Sequence, residues 1–418
     1  SCDYLDIVPD ERAQESDTWK TEGAVRGYLY SCYGYLPANR TFGNSYWLAE
    51  ELTAVTKELF TTFKYGYYSP VSLGFTSNTW STIWNGIHQC YMFQESLKQV
   101  SNEYVTDEMK KQYLAESNFL IAYYHFLSMR SYGPTMIIRS VIDLETPISG
   151  FPERSSIDEV VAFINEKLDE AMSEGGLPTT WSGKDYGRAT RLAALALKSR
   201  VYLYAASPLY NGNTEMYADF RSPLDGRQLI AQEKSQAKWE ISATQTKYAI
   251  DEVEKAKFHL YHDADAGEPS DAKPGLPNKA QRRLRYTNID NQTGNNPEII
   301  WADTRNDDYY GIQRRCPPRQ TLGGKFAGIS MTNCPTLQTI EAFYTKNGLP
   351  INKDKTFDYD ERYEYISAPE NCDGNNYEDL VKYANFTPSS DKVMRLCTDR
   401  EPRFYAWTTY HNGYFEFG

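Results

Sequence analysis

The sequence predicts a mostly α fold: tetratricopeptide-like helical hairpins stacked into a right-handed superhelical frame, with a loop-rich irregular region and few short strands. Three observations predict it. Apolar residues recur at three- and four-residue spacing through most of residues 16–262. Two of these segments are apolar on two sides, which is the pattern of a helix sandwiched between neighbours. After residue 262 the periodicity gives way to Gly, Pro, Asn, Asp and Lys clusters, which read as loops.

Residues 16–36 open on Ser16-Asp17-Thr18 and carry Trp19, Val25, Tyr28, Leu29, Cys32 and Tyr33 on one face, with Pro37 as the stop. A second helix covers 78–100, with Trp80, Trp84, Ile87, Tyr91 and Leu97 on one side. A third runs from 106 to 131. Phe119, Ala122, Tyr123 and Phe126 form one stripe, Leu120, Tyr124 and Leu127 a second, and Tyr132-Gly133-Pro134 is the exit. A fourth spans 155–174, where Ser156 and Glu159 make a capping box and Gly175-Gly176 ends it. A fifth starts near Ala189 and ends before Pro208, with alanines that permit close helix approach. A sixth covers 235–259, with Trp239, Ala243, Ile250 and Val253 inward. Residues 263–297 read as loops, Glu298-Ile299-Ile300-Trp301 as a short strand, and 302–333 again as loops. So long an irregular stretch is unusual in a compact domain unless it serves a function.

Composition narrows the function classes. The 418 residues carry a net charge of −12, which argues against nucleic acid, whose binders need a basic stripe. No run of about 18 apolar residues exists to span a bilayer as a helix. Seven cysteines include no CxxC or zinc-ligand spacing, and their pairing cannot be read from the chain. His259 and His262 read as a solvated helix end. No cofactor or metal is indicated. The outlier is 34 tyrosines. Tyrosine joins an apolar ring to a polar hydroxyl, which suits ligands with apolar faces and hydroxyl edges, as sugars have. Packing between helices is the competing use of such rings.

Several segments, in order, resemble the SusD/RagB family of outer-membrane glycan-binding lipoproteins. They are Cys2-Asp3-Tyr4-Leu5-Asp6 with Pro9; Trp80 and Trp84 through Cys90; Glu116-x-x-Phe119-Leu120-x-Ala122-Tyr123-Tyr124 through Pro134; Gly187-Arg188-Ala189-Thr190 through Tyr204; Pro335-Thr336 through Phe343 and Gly348; and Glu401-Pro402-Arg403-Phe404. Glu401 stands where the family usually has aspartate. The family pattern continues with a further helical pair that residues up to Gly418 do not include, which leaves truncation and an unusual terminus both open. The resemblance implies residues 1–15 as a tether to a lipid anchor on Cys2, a single domain over 16–418, and a place on the Gram-negative cell surface in the outer membrane. It also implies non-catalytic capture of oligosaccharide or polysaccharide, with a SusC-like TonB-dependent transporter as partner.

Two loop regions mix aromatic rings with planar polar side chains, as a sugar requires. One offers Arg40, Asn44, Tyr46, Trp47, Tyr65, Tyr67 and Tyr68. The other offers Trp301, Arg305, Asn306, Asp307, Tyr309 and Tyr310. Trp301 fits a buried strand position as well as a sugar platform. Trp80 and Trp84 read as core, Arg188 as a tie between loops, and Glu401-Pro402-Arg403 as a turn with a paired arginine. Two other functions remain open: a helical scaffold for proteins, and an α-helical glycoside hydrolase. The second needs two carboxyls roughly 5–10 Å apart, one with a raised pKa. Glu50, Glu51, Asp303, Asp307 and Asp308 are candidates by type only.

Overall fold

The structure, a computed structural model, describes residues 19–37, 50–54, 69, 75–143, 145–262, 279–289, 296–305, 316, 333–366, 392–411 and 413. It is mostly helical with a few two- and three-residue strands. The chain divides into two compact units. The first holds Ser1–Pro37, Gly74–Phe258 and Ile300–Asp303, and the second Ala38–Leu73, His259–Ile299 and Thr304–Gly418.

The first unit is a series of helices that pack on their chain neighbours. α1 spans Glu22–Tyr33. Its N-cap is Thr21, whose hydroxyl accepts from the Ala24 amide at 3.2 Å, so the helix begins later than Ser16-Asp17-Thr18 suggests. It ends at Tyr33, ahead of Pro37. α2 is Phe75–Leu97 and α3 is Asp107–Tyr132. Thr106 caps α3 by accepting from the Met109 amide at 3.3 Å, and Gly133, at φ +72°, forms the exit. α3 is the centre of the core. Phe119, Leu120, Tyr124 and Phe126 are fully buried, because α2 packs on one flank and α4, Ile157–Ala171, on another. Tyr124 of one stripe meets α2 at Gly86, while Phe119, Tyr123 and Phe126 of the other meet Trp301 and Tyr204.

Ser156 and Glu159 close the capping box of α4 as the sequence predicts: the Ser156 amide donates to Glu159 Oε2 at 2.7 Å and the Glu159 amide to Ser156 Oγ at 3.3 Å. α5 is Arg191–Ala206, with buried Ala193, Ala194, Ala205 and Ala206, and α6 is Gln236–Lys255. α6 packs on α5 through a different face from the one expected. Ser242 and Ala249 are buried, while Ala243 and Ile250 are exposed. Ser242, Thr246, Ala249 and Val253 follow one helical stripe, and Thr246 Oγ1 lies 2.7 Å from Ser199 Oγ on α5. Small residues face the partner because the helices approach closely. The larger residues one step around stay in water.

Trp80 and Trp84 pack edge to face at 5.2 Å, Trp80 against Tyr132 and Trp84 against the buried His125. Gly86 is needed where α2 meets α3: a Cβ there would stand 2.8 Å from Tyr124 Cζ. The Tyr124 hydroxyl donates to the Cys32 carbonyl at 2.6 Å, linking α3 to α1. Thr135–Met136 pairs antiparallel with Arg154–Ser155. Glu298–Trp301 is not a strand; it is an irregular turn with no strand partner among the described residues, and Ile300 packs against Leu192, Leu195 and Ala249. His259 and His262 lie exposed beyond the end of α6, rings stacked at 5.3 Å.

The second unit holds short elements. α7, Lys279–Ile289, falls inside the stretch read as loops. The segment contains no Gly or Pro, and its partner is α9, Pro402–Trp407, far away in sequence. α8, Leu337–Ala342, is capped by Thr336, whose hydroxyl accepts from the Thr339 amide at 3.2 Å. Leu52–Ala54 pairs with Asn333–Pro335, and Tyr365–Ile366 with Val393–Met394. Two small cores form around Ile351, Phe357 and Leu396 and around Val393, Cys397 and Phe404. Glu401-Pro402-Arg403 is a helix start and not a turn. Pro402 takes the first helical position, where its missing N–H costs nothing, and Arg403 donates to both Glu401 oxygens at 2.8 Å.

Candidate functional site

Of the residues singled out for sugar, the structure describes two. Arg40, Asn44, Tyr46, Trp47, Tyr65, Tyr67, Tyr68, Asn306, Asp307, Tyr309 and Tyr310 lie outside the described residues, as does Cys2. Arg305 is half-buried in the second unit. Trp301 is half-buried in the first. Its indole N–H donates to the Gly187 carbonyl at 2.8 Å, and its ring meets Phe119 at 5.2 Å and Tyr123 at 5.7 Å, both nearly perpendicular. The ring thereby docks Ile300–Asp303 onto α3. Gly187 turns its carbonyl to the indole from a backbone at φ +98°, where glycine avoids strain. Packing is the use of this tryptophan that the geometry displays.

Gly187 leads into the strongest electrostatic feature of the first unit. Arg188 donates to both oxygens of Glu116 on α3 and to Asp185 Oδ1 at 2.9 Å. Its guanidinium lies 4.1 Å from the Trp181 ring centroid. The Tyr33 hydroxyl donates to Glu116 Oε2 at 2.6 Å and accepts from the Ala189 amide at 2.9 Å. Arg188 is therefore a tie, as the sequence suggests, but it binds a loop to the core helix. Burial pushes the Glu116 carboxyl up, against the opposing pull of Arg188 and Tyr33. Among the described carboxyls with a resolved shift it alone is raised. A raised carboxyl is the mark of a general acid in glycoside hydrolysis. Here the group is enclosed and fully bonded within the protein.

In the second unit a cavity of about 260 Å³ is lined by Thr345, Lys346, Asn347, Asp354, Thr356, Phe357 and Asp399. Its polar groups serve one another. Asp354 accepts from the Thr345 hydroxyl at 2.6 Å, the Asn347 side-chain Nδ2 at 3.0 Å, and the Thr356 backbone amide and hydroxyl at 2.9 and 2.7 Å. These bonds, the Thr345 hydroxyl first, hold its carboxyl well below the usual range. Lys346 pairs with Asp399 at 2.7 Å. The knot is closed by Asn347-Gly348, with Gly348 at φ +73°. Sequence reading missed this group, although an Asn-Gly turn followed by Asp-x-Thr is a legible turn signal. It also missed Arg400. That side chain is buried and donates to the carbonyls of Ile340, Phe343 and Leu396 at 2.6–2.7 Å, fastening the end of α8 beside α9.

The likeness to known proteins accords with this frame. Residues 3–203 match the SusD-like family model described as starch-binding and associating with the outer membrane. Residues 297–417 match the SusD family model. No curated protein matches the chain. Among solved structures, BT4246 is 28% identical, with a TM-score of 0.69 over 94% of this chain and 65% of its own. A SusD-like protein from Bacteroides fragilis is 20% identical, with a TM-score of 0.62 over 95% of this chain and 62% of its own. A SusD superfamily protein from Parabacteroides distasonis is 17% identical, with a TM-score of 0.52 over 79% of this chain and 62% of its own. The chain thus spans less than two thirds of the length of these relatives. Among the described residues no helix is long and apolar enough to cross a membrane. With the segments before and after the α6 region both matched to models of one family, and the helical frame shared with its solved members, the chain belongs to the SusD/RagB family.

Proposed function

We propose that this protein is a non-catalytic cell-surface receptor that captures oligosaccharide or polysaccharide and passes it to a SusC-like TonB-dependent transporter. It is held at the outer membrane by lipid on Cys2. The observation that carries the reading is the pair of family matches, one of them described as starch-binding and associating with the outer membrane. Trp47, Tyr65, Tyr67, Tyr68, Arg305, Asn306, Asp307, Tyr309 and Tyr310 are the proposed ligand contacts.

Affinity electrophoresis against a polysaccharide panel, with reducing-sugar assays on the same polymers, tests the reading. The expected result is retardation by at least one polymer and no sugar release above background. Sugar release would reject binding without cleavage, and a chain that meets no polymer would favour the protein scaffold. Palmitate labelling of the precursor in cells, lost in Cys2→Ala, tests the anchor.

A further inference from the structure

Residues 358–366 of the second unit read Asp-Tyr-Asp-Glu-Arg-Tyr-Glu-Tyr-Ile, and they fold into a small aromatic surface locked by one arginine. The Arg362 guanidinium lies 4.0 Å from the Tyr359 ring centroid and 4.4 Å from that of Tyr363. Its Nε donates to Glu341 Oε1 at 2.7 Å and its Nη1 to the Tyr359 carbonyl at 2.9 Å. The Tyr363 hydroxyl donates to the same Glu341 oxygen. Burial raises the Glu341 carboxyl, but the bonds from Tyr363 and Arg362 outweigh it and keep the group ionised. The backbone is equally fixed, since the Leu396 amide donates to the Arg362 carbonyl at 2.7 Å and the Arg395 amide to the Glu364 carbonyl at 3.0 Å. Strand alternation then turns Ile366 inward and Tyr365 outward. Tyr363 and Tyr365 stay 43% and 51% exposed.

A ring held rigid in water is useful to a ligand, because little conformational freedom remains to be lost on binding. The parts match a sugar. An exposed ring face accepts the C–H face of a pyranose. The Arg362 guanidinium carries five N–H groups, more than its bonds to Glu341 and the Tyr359 carbonyl use, so one donates to a hydroxyl, and a Glu341 lone pair accepts from one. Charge sets the ligand class. Asp358, Asp360, Glu361 and Glu364 are all exposed around the rings. The two arginines of the surface are already matched, Arg362 by Glu341 and Arg395 by Glu361 at 3.1 Å. Acidic polymers meet a repulsive field there at moderate salt.

We propose that Tyr363, with Arg362 and Glu341 against it, and the exposed Tyr365 two residues further along form a binding platform for neutral oligosaccharide. The proposal rests on the glycan-capture reading and adds a site and a ligand class to it. The test is native affinity electrophoresis of the full chain in gels cast with neutral glucans, xylan or mannan, and with polygalacturonate or alginate, followed by calorimetry with fragments of the retarding polymer. Tyr365→Ala removes an exposed ring. Arg362→Lys keeps the charge but loses the planar fork. Phe151→Ala, an exposed aromatic of the first unit, is the control. Thermal melts verify that each variant is folded.

We expect a neutral polymer to retard the wild type, Tyr365→Ala and Arg362→Lys each to weaken binding about tenfold, or ~1.4 kcal/mol, and Phe151→Ala to leave it unchanged. Binding that survives both platform variants overturns the platform and leaves the capture reading standing. Tighter binding to the uronate polymers overturns the neutral class. A wild type retarded by no polymer overturns both readings.

Discussion

Replacing Arg188 by methionine should be among the most damaging single changes in the first unit, and its cost should depend on pH. The Glu116 side chain is 1% exposed and that of Arg188 9%. Without the guanidinium, the carboxylate retains the Tyr33 hydroxyl as its hydrogen-bond donor and has no cation. Breaking a buried pair from one side costs about 3–5 kcal/mol, because the remaining charge is buried and uncompensated. Methionine fills similar space, so little of that is cavity. Glu116 is already raised by burial, and loss of Arg188 raises it further. For a carboxyl raised in the folded state, stability is fullest below the unfolded value and is lost as pH rises through the folded one. Arg188→Met should therefore unfold at clearly lower urea at pH 7.5 than at pH 5 when each is compared with wild type at the same pH. Adding Glu116→Gln should recover much of the loss and flatten the pH dependence. Urea titrations of the four proteins at both pH values complete the cycle. A single variant costing under about 1 kcal/mol at pH 7.5, or a double variant no better than the single, would refute the argument.

Three further expectations follow from the packing. Gly86→Ala drives a methyl into the Tyr124 ring; overpacking costs about 1–3 kcal/mol, offset by up to ~1 kcal/mol of helix propensity, so a lower melting temperature is expected, and an unchanged or higher one would mean α2 and α3 can separate freely. Ser156→Ala deletes the capping box of α4 and should cost about 1 kcal/mol in chemical denaturation, whereas loss of Glu159 alone should cost less. Burial lowers the pKa of His125 to about 4, its Nδ1 lying 2.7 Å from the Ile121 carbonyl. A depressed histidine stabilises above its unfolded pKa of about 6.5 and loses that contribution as pH falls through 4. Stability should therefore decline by up to about 3 kcal/mol across that window, at ~1.36 kcal/mol per pKa unit, and His125→Asn should show a flatter profile by circular dichroism.

The sequence by itself determined the main helices of the first unit and some of their ends. The Ser156 capping box and the Gly133 exit were legible because capping satisfies backbone groups within four residues, so the signal is local. The double stripe of the third helix fixed α3 as the centre for the same reason, since periodicity records how many sides of a helix are covered. Tertiary structure alone decided the rest. Which face of α6 meets α5 depends on how closely two helices approach, and that distance selected Ser242 and Ala249 over the larger Ile250. α7 was hidden because its stabilising partner, α9, lies more than a hundred residues away. Trp301 looked equally suited to sugar and to core; only the arrival of Phe119, Tyr123 and the Gly187 carbonyl at its ring shows how it is packed. The tyrosines of 359–365 could not be ranked among 34 by composition. A ring becomes a platform through its exposure and through what holds it still, and both are properties of the folded chain.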